Sequence, residues 1–191
     1  MDILNERLTQ VIAEITEQIT QHKHRCIVIH GQIGAGKTRL AQRLAAALEK
    51  HKIRVGGIIS PRIVDGVETI GYRVRDLDTG EEQSLAALNP PGIPIGKFYL
   101  SEDALLFART AIEHAAATAQ VVFLDEVGRL ELTGQGHAPA LRALLRSEAI
   151  HVLFVRTTFV EHIIEKFGIG DHASFSVEPG LPDCSLEEGR P

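Results

Sequence analysis

Apolar residues near the N-terminus recur at helical spacing. Within residues 2–21 they form one stripe, made of Leu4, Leu8, Val11, Ile12, Ile15 and Ile19. Polar residues fill most of the other positions, so the pattern predicts an amphipathic helix in an N-terminal extension of residues 1–24. Such a stripe usually covers a core, which favours a helix packed on the sheet of its own domain. The alternative is a contact surface for a protein partner or a second copy of the chain.

Further along, short apolar runs alternate with helical spacing. The predicted strands are residues 25–30, 53–60, 97–100, 121–124, 150–155 and 172–177. The predicted helices are residues 36–50, 102–119, 139–147 and 159–167. This alternation predicts an α/β domain over residues 25–177, with a mostly parallel sheet and helices on both faces. Residues 178–191 combine Pro, Gly and acidic residues with few apolar anchors, which predicts a loose tail.

One region departs from the alternation. Residues 58–86 hold β-prone runs separated by the turn signals Asp65-Gly66 and Asp78-Thr79-Gly80-Glu81, which predicts an antiparallel hairpin insert. Arg73 and Arg75 share one face of a strand in this insert, exposed to solvent or along a nucleotide channel. Three prolines in residues 89–96 predict an irregular, mobile loop, because proline removes a donor and restricts the residue before it.

A glycine-rich stretch follows the first predicted strand. Residues 31–38 match GxxxxGK[ST] between a strand and a helix, the context in which this pattern forms a phosphate-binding loop. The glycines allow backbone N–H groups to turn toward an anion, and the helix N-terminus adds its positive end. Lys37 is placed to reach the β- and γ-phosphates, and the Thr38 hydroxyl to ligate Mg²⁺. The predicted nucleotide-binding residues are Gly31, Gln32, Ile33, Gly34, Ala35, Gly36, Lys37, Thr38 and Arg39.

Two carboxylates stand at the end of the apolar run of residues 121–124. Asp125 is placed to hold Mg²⁺, directly or through water, as the second element of a P-loop site. Glu126 follows at once and is placed to polarise a water for in-line attack on the γ-phosphate. An acidic turn after a strand is weak evidence alone, but the glycine loop upstream favours the metal and water roles.

Arginines near these carboxylates are candidates for stabilising phosphate charge. Arg129 is placed to reach it in the transition state, or else is a surface arginine paired with Glu131. Further candidates for the γ-phosphate are Arg142, Arg146 and Arg156. Arg142 and Arg146 stand four residues apart, which is more simply a solvated helix face.

Bulk properties narrow the function classes. The chain has 191 residues, and its formal net charge of -5 does not favour a general nucleic-acid-binding surface. Cys26 and Cys184 make neither a disulfide framework nor a metal cluster, which predicts a reducing cytoplasm. The sequence shows no secretory leader and no apolar stretch of transmembrane length, so no membrane association is expected.

Four segments occur in an informative order. They are Gly31 to Thr38, Gly71-Tyr72-Arg73-Val74, Ile95-Gly96-Lys97-Phe98-Tyr99, and Leu124-Asp125-Glu126-Val127-Gly128-Arg129-Leu130-Glu131-Leu132. Over residues 25–167 the chain resembles the THEP-type nucleoside-triphosphatase family. The glycine loop indicates only the P-loop superfamily, whereas the last segment is much more specific. The resemblance implies a three-layer P-loop NTPase fold and slow, Mg²⁺-dependent hydrolysis of ATP, GTP and other nucleoside triphosphates, with broad base tolerance.

The chain departs from that family at three places. Members commonly carry lysine where Arg129 stands and a small hydroxyl residue where Arg39 stands. The segment of residues 2–24 is an addition before the first strand.

Two other functions use the same loop. One is a small-molecule or nucleoside kinase, but such enzymes usually carry an arginine-rich lid, and residues 89–96 contain no arginine. The other is a nucleotide-dependent switch that acts on a protein partner, with the N-terminal helix as its contact.

Overall fold

The structure is a computed structural model that describes residues 3–178, with side chains from residue 6 onward. The predicted loose tail lies outside the described residues apart from Glu178. The described helices are α1 Ile3–Thr20, α2 Lys37–Lys50, α3 Glu102–Thr118, α4 Arg129–Leu132, α5 Ala138–Leu144 and α6 Val160–Phe167. The described strands are β1 Cys26–Gly31, β2 Val55–Ile59, β3 Arg62–Asp65, β4 Glu68–Asp76, β5 Glu82–Ala87, β6 Ile93–Ile95, β7 Phe98–Leu100, β8 Val121–Val127, β9 Ile150–Arg156 and β10 His172–Val177.

Parallel strands form the centre of the fold. They run in the order β10-β1-β9-β8-β2, and each neighbouring pair is parallel. β2 and the first half of β8 are buried along their length, as expected for strands covered on both faces. The predicted α/β class with a mostly parallel central sheet is confirmed.

Helices cover both faces of this sheet. Alternate residues of β8 enter two separate hydrophobic clusters: Phe123 packs with α2, whereas Leu124 packs with α3 and α5. Because successive side chains of the strand point to opposite faces of the sheet, each face packs against its own layer of helices. The fold therefore has three layers.

Helix α1 lies against the domain. Its side chains Leu8, Ile15 and Ile19 are 3%, 0% and 1% exposed, in the cluster that also holds α2 and β1. From Leu8 onward, the apolar stripe is therefore covered by the chain itself. The division of the chain at residue 24 stays a prediction.

The antiparallel part of the sheet is larger than the predicted hairpin. β2 pairs antiparallel with β4, and β3, β5, β7 and β6 continue from it, so the insert runs from Arg62 to Leu100. The interpretation of residues 89–96 as irregular throughout is wrong at β6, which pairs with β7. Pro94 fits there because β6 is the last strand of the sheet, and an edge strand has one side without ladder hydrogen bonds. No helix within residues 3–178 is long and apolar enough to cross a bilayer.

Candidate active site

The candidate site lies where neighbouring parallel strands end. The glycine loop follows β1, Asp125 and Glu126 lie at the end of β8, Ser60 follows β2, and Arg156 ends β9. Because β1, β9, β8 and β2 are adjacent and parallel, their carboxyl ends meet at one edge of the sheet. This edge is where open α/β sheets bind ligands.

The glycine loop takes a backbone shape that its glycines permit. Gly34 and Gly36 have φ angles of 77° and 95°, in the left-handed region that side chains avoid. Gly36 is the N-cap of α2 and provides no side-chain cap. The first N–H groups of the 14-residue helix therefore lie next to the loop, where they favour an anion.

Lys37 lies inside the loop. Its side chain is 7% exposed, and Nζ donates to the carbonyl oxygens of Gly31 and Gln32, both at 3.1 Å. Burial lowers the pKa of Lys37, while the charges of Glu126 and Asp125 raise it. The ammonium is therefore held beside the two carboxylates that the sequence predicts as its neighbours.

Asp125 connects the two halves of the site. The residue is 0% exposed, and its Oδ2 accepts hydrogen bonds from the Thr38 hydroxyl at 2.8 Å and from the Ser60 N–H at 3.0 Å. Burial and the Glu126 charge raise the pKa of Asp125 to about 7, against the lowering effect of these hydrogen bonds. A buried carboxylate beside a hydroxyl forms a compact set of hard oxygen donors.

This donor set fits Mg²⁺ bound together with phosphates. Within residues 3–178 no group of three or more His, Cys, Asp or Glu side chains is arranged to hold a metal ion by itself. Mg²⁺ usually takes one or two protein oxygens and completes its shell with water and substrate phosphates. The Ser60 hydroxyl is also buried without a hydrogen-bond partner, on a residue whose backbone N–H contacts Asp125.

Glu126 has a strained backbone. Its φ is 59°, a left-handed value that is uncommon for a residue with a side chain. Burial is the largest influence on the pKa of Lys37, Tyr72 and His137, and the charge of Glu126 acts on each of them in the raising direction, so its carboxylate lies near three separate parts of the chain. Strain of this kind is concentrated at functional sites.

Arg129 does not pair with Glu131. The carboxylate of Glu131 is buried and accepts hydrogen bonds from the backbone N–H groups of Gly128, at 2.7 Å, and His137, at 2.8 Å. The interpretation of Arg129 as the ion-pair partner of Glu131 is therefore wrong. Arg129 is exposed at the start of α4, and its contact with phosphate stays a prediction.

The other arginines divide between two ends of the molecule. Arg156 lowers the pKa of Lys37 through its charge, which puts it near the loop. Arg142 and Arg146 line a cavity of about 540 Å³ beside Cys26, at the amino end of β1 and thus opposite the glycine loop. Both follow or end α5, where cations complement the negative end of a helix. Arg142 also lies over the Phe167 ring, at 5.4 Å from its centre.

Arg73 and Arg75 are surface residues of the insert. Both form ion pairs with Glu82, which lies opposite Arg75 on β5. Of the two interpretations of these arginines, the solvent-facing one fits this pairing.

Three residues that the sequence interpretation passed over also reach the site. Ser60 contacts Asp125, and Arg62 lies beside Gly34. Burial raises the pKa of Tyr72, the nearby charge of Glu126 raises it further, and the charges of Arg62 and Arg156 lower it. Ser60-Pro61-Arg62 directly follows the strand β2. The rule that selected Asp125, a polar residue at the end of a buried strand, also applies to this segment.

The chain is similar to known nucleoside triphosphatases. A family model described as NTPase matches residues 26–180. The chain is 34% identical over 140 residues to a nucleoside-triphosphatase THEP1 of Thermococcus kodakarensis, covering 71% of this chain and 78% of that protein. It is 34% identical over 133 residues to a nucleoside-triphosphatase THEP1 of Methanopyrus kandleri, covering 69% and 74%.

Two solved structures share the fold. The solution structure of a human cancer-related nucleoside triphosphatase superposes with a TM-score of 0.61 at 22% identity, covering 78% of this chain and 87% of that one. The crystal structure of THEP1 from Aquifex aeolicus gives a TM-score of 0.66 at 20% identity, covering 85% and 95%.

Proposed function

This chain belongs to the NTPase family, and we propose that it is a nucleoside-triphosphate phosphohydrolase that requires Mg²⁺ and releases a nucleoside diphosphate and phosphate. One observation carries the proposal. The Thr38 hydroxyl and the Asp125 carboxylate, 87 residues apart in sequence, are hydrogen-bonded at 2.8 Å beside the buried Lys37. This contact between the two predicted halves of the site supports the proposal.

The residues of the loop bind and orient the substrate. Lys37 and the N–H groups at the start of α2 hold the phosphates, because their charge and dipoles point into the loop. Thr38 and Asp125 would hold Mg²⁺, with Ser60 beside them. The cation, when bound, neutralises charge on the β- and γ-phosphate oxygens.

Glu126 acts on the nucleophile. Its carboxylate orients a water molecule for in-line attack on the γ-phosphorus and accepts a proton from it. The bond between the γ-phosphorus and the β–γ bridging oxygen breaks, and the diphosphate leaves with that oxygen. Lys37 stays close to the charge that develops there.

Broad base tolerance and slow turnover belong to the same proposal. Lys37, Thr38, Asp125 and Glu126 are proposed to contact phosphate, metal and water. This supports a substrate range set by the triphosphate rather than by the base. We also propose a reducing cytoplasm as the compartment, which the buried free thiol of Cys26 supports.

The test is phosphate release from ATP, GTP, CTP and UTP with Mg²⁺, compared for the unmodified protein and two lysine variants. We expect release from all four triphosphates, and a loss of about 10²-fold or more in Lys37→Ala, because a neutral side chain cannot replace the buried cation. Lys50→Ala, at the exposed end of α2, should keep the full rate. Full activity of Lys37→Ala would contradict the assignment of the loop.

The same reactions separate a hydrolase from a kinase. With γ-labelled ATP and candidate metabolite acceptors present, the label should appear as free phosphate. Stoichiometric transfer to an acceptor, with little release to water, would assign the protein to the kinases instead.

A further inference from the structure

Arg62 lies beside the glycine loop, next to Gly34. The chain leaves β2 at Ile59, turns through Ser60 and Pro61, and enters β3 at Arg62. A Cβ built on Gly34 would lie 4.0 Å from Nη1 of Arg62. A guanidinium from the antiparallel insert therefore lies next to the loop that is proposed to bind phosphates.

The backbone that carries Arg62 is anchored. Arg62 is opposite Tyr72 in the β3–β4 register, and the neighbouring Pro61 carbonyl accepts a hydrogen bond from the Arg73 N–H at 2.9 Å. The Tyr72 ring packs edge-on against Phe98, with 5.5 Å between centres. The side chain of Arg62 is nevertheless exposed, so its guanidinium extends from a backbone that these contacts hold in place.

Three cations converge on one spot. Arg62 and Arg156 both lower the pKa of Lys37 by their charge, and both lower the pKa of Tyr72. Arg156 comes from β9 and Arg62 from the insert, so they approach Lys37 along different elements. The charges of Glu126 and Asp125 act on Lys37 in the opposite direction, so the position of the Arg62 guanidinium beside Gly34 is what places it where bound phosphates would lie.

We propose that Arg62 is a substrate-contacting catalytic residue, whose guanidinium binds the terminal phosphate of the triphosphate and stabilises the charge that grows there during hydrolysis. This rests on the proposed function, and it adds a residue supplied by the insert rather than by the P-loop fold. Arginines supplied within the same chain do this in other phosphate-transferring proteins. The planar fork of Arg62 suits two phosphate oxygens at once, which a lysine cannot match.

The first test is nucleotide binding without turnover. In the Glu126→Gln background, Arg62→Ala should weaken Mg²⁺-dependent binding of ATP by roughly tenfold, through a lost charge-assisted contact. ADP lacks the terminal phosphate. The affinity of the Arg62→Ala variant for ADP should therefore stay within about a factor of two of the affinity measured with Arg62 present. An equal loss for ATP and ADP, or no loss for ATP, would overturn the proposal.

The second test is single-turnover hydrolysis. Arg62→Ala should be slower by about 10²-fold or more, and Arg62→Lys should recover only part of the rate. Arg73→Ala is the matched control, because it removes an arginine of the same insert that is paired with Glu82 at the surface. Equal rates for Arg62→Ala and Arg73→Ala would overturn the catalytic role.

These outcomes are separable from failure of the proposed function. A protein that hydrolyses no triphosphate, yet loses ATP affinity selectively in Arg62→Ala, would contradict the hydrolase and keep the phosphate contact. A protein that hydrolyses triphosphates, with Arg62→Ala at the full rate, would keep the hydrolase and remove Arg62 from it.

Discussion

Buried carboxylates perform two different tasks within a few residues of each other. Asp125 and Glu131 are 0% and 2% exposed, and burial raises the pKa of both. Glu131 uses both oxygens on backbone N–H groups, whereas Asp125 accepts from a side-chain hydroxyl of the glycine loop. Glu131 therefore holds the chain between β8 and α5 in shape, and Asp125 lies at the site.

Glu131→Ala tests the structural task. It should destabilise the protein by about 3 kcal/mol, because the N–H groups of Gly128 and His137 lose their partner in a buried place. Urea unfolding measures the change. Glu113→Ala, which removes an exposed ion pair with Arg109, is the control and should cost less than about 1 kcal/mol. A similarly small cost for Glu131→Ala would contradict the structural role.

Local sequence pattern indicates part of the candidate site and misses the rest for a physical reason. Lys37, Thr38 and Asp125 were recognisable because the loop spacing and the end of a buried strand are local features. Arg62 depends on a non-local fact, the placement of β2 beside β8 and the turn into the insert. Spacing alone leaves Arg129 either near phosphate or paired with Glu131, and the burial of Glu131 on backbone N–H groups overturns the second alternative.

At the scale of elements, α1 lies before residues 26–180, the part of the chain that the family model matches. Ile15 is 0% exposed and belongs to the cluster beneath α2. A helix whose apolar stripe is covered by its own domain contributes to the stability of that domain. Its exposed face, which includes Glu14, remains in solvent.

Ile15→Ala should destabilise the protein by about 3 kcal/mol, because it leaves a cavity in a packed layer. Thermal unfolding at one protein concentration measures the loss, and Glu14→Ala on the exposed face should leave the midpoint nearly unchanged. Nucleotide binding should persist in both variants. Unchanged stability of Ile15→Ala, together with dissociation of a dimer on size-exclusion chromatography, would show instead that the stripe is an interface.

The sequence pattern predicts the helices and strands well where its periodicity is strong, and it fails at β6, the strand at the edge of the sheet. The buried parallel strands were visible as unbroken apolar runs, and Ser101 caps α3 through a hydrogen bond from the Ala104 N–H at 3.2 Å. β6 was missed because its proline signals a loop, and only its place at the end of the sheet makes it compatible with a strand.

At the scale of the whole molecule, buried histidines couple folding to pH. Burial lowers the pKa of both His137 and His151 to about 4, from the ordinary value of 6.5. In the unfolded chain each binds a proton near pH 6.5, whereas in the folded chain neither does until about pH 4. Their contribution to stability is therefore complete above pH 6.5 and is lost as the pH falls toward 4.

His151→Gln isolates one of these groups. The free energy of unfolding of the unmodified protein, minus that of the variant, should fall by about 2 kcal/mol between pH 7.5 and pH 4.5. Both proteins contain Asp125 and Glu131, whose raised pKa values change stability in the opposite direction. Taking the difference between the two free energies removes the contributions of these carboxyls. Urea unfolding at both pH values measures it, and a difference independent of pH would contradict the buried neutral state of His151.

Glu126 is proposed to activate water beside Lys37, Thr38 and Asp125. Single-turnover hydrolysis of Mg²⁺–ATP, with equilibrium affinity measured beside it, tests this most directly. Glu126→Gln should bind ATP with near-unchanged affinity and hydrolyse it about 10²-fold or more slowly, because the amide keeps the shape and loses the charge. Glu68→Gln, an exposed carboxylate of the insert, should keep the full rate. An unchanged single-turnover rate in Glu126→Gln would contradict the role of Glu126 in activating water.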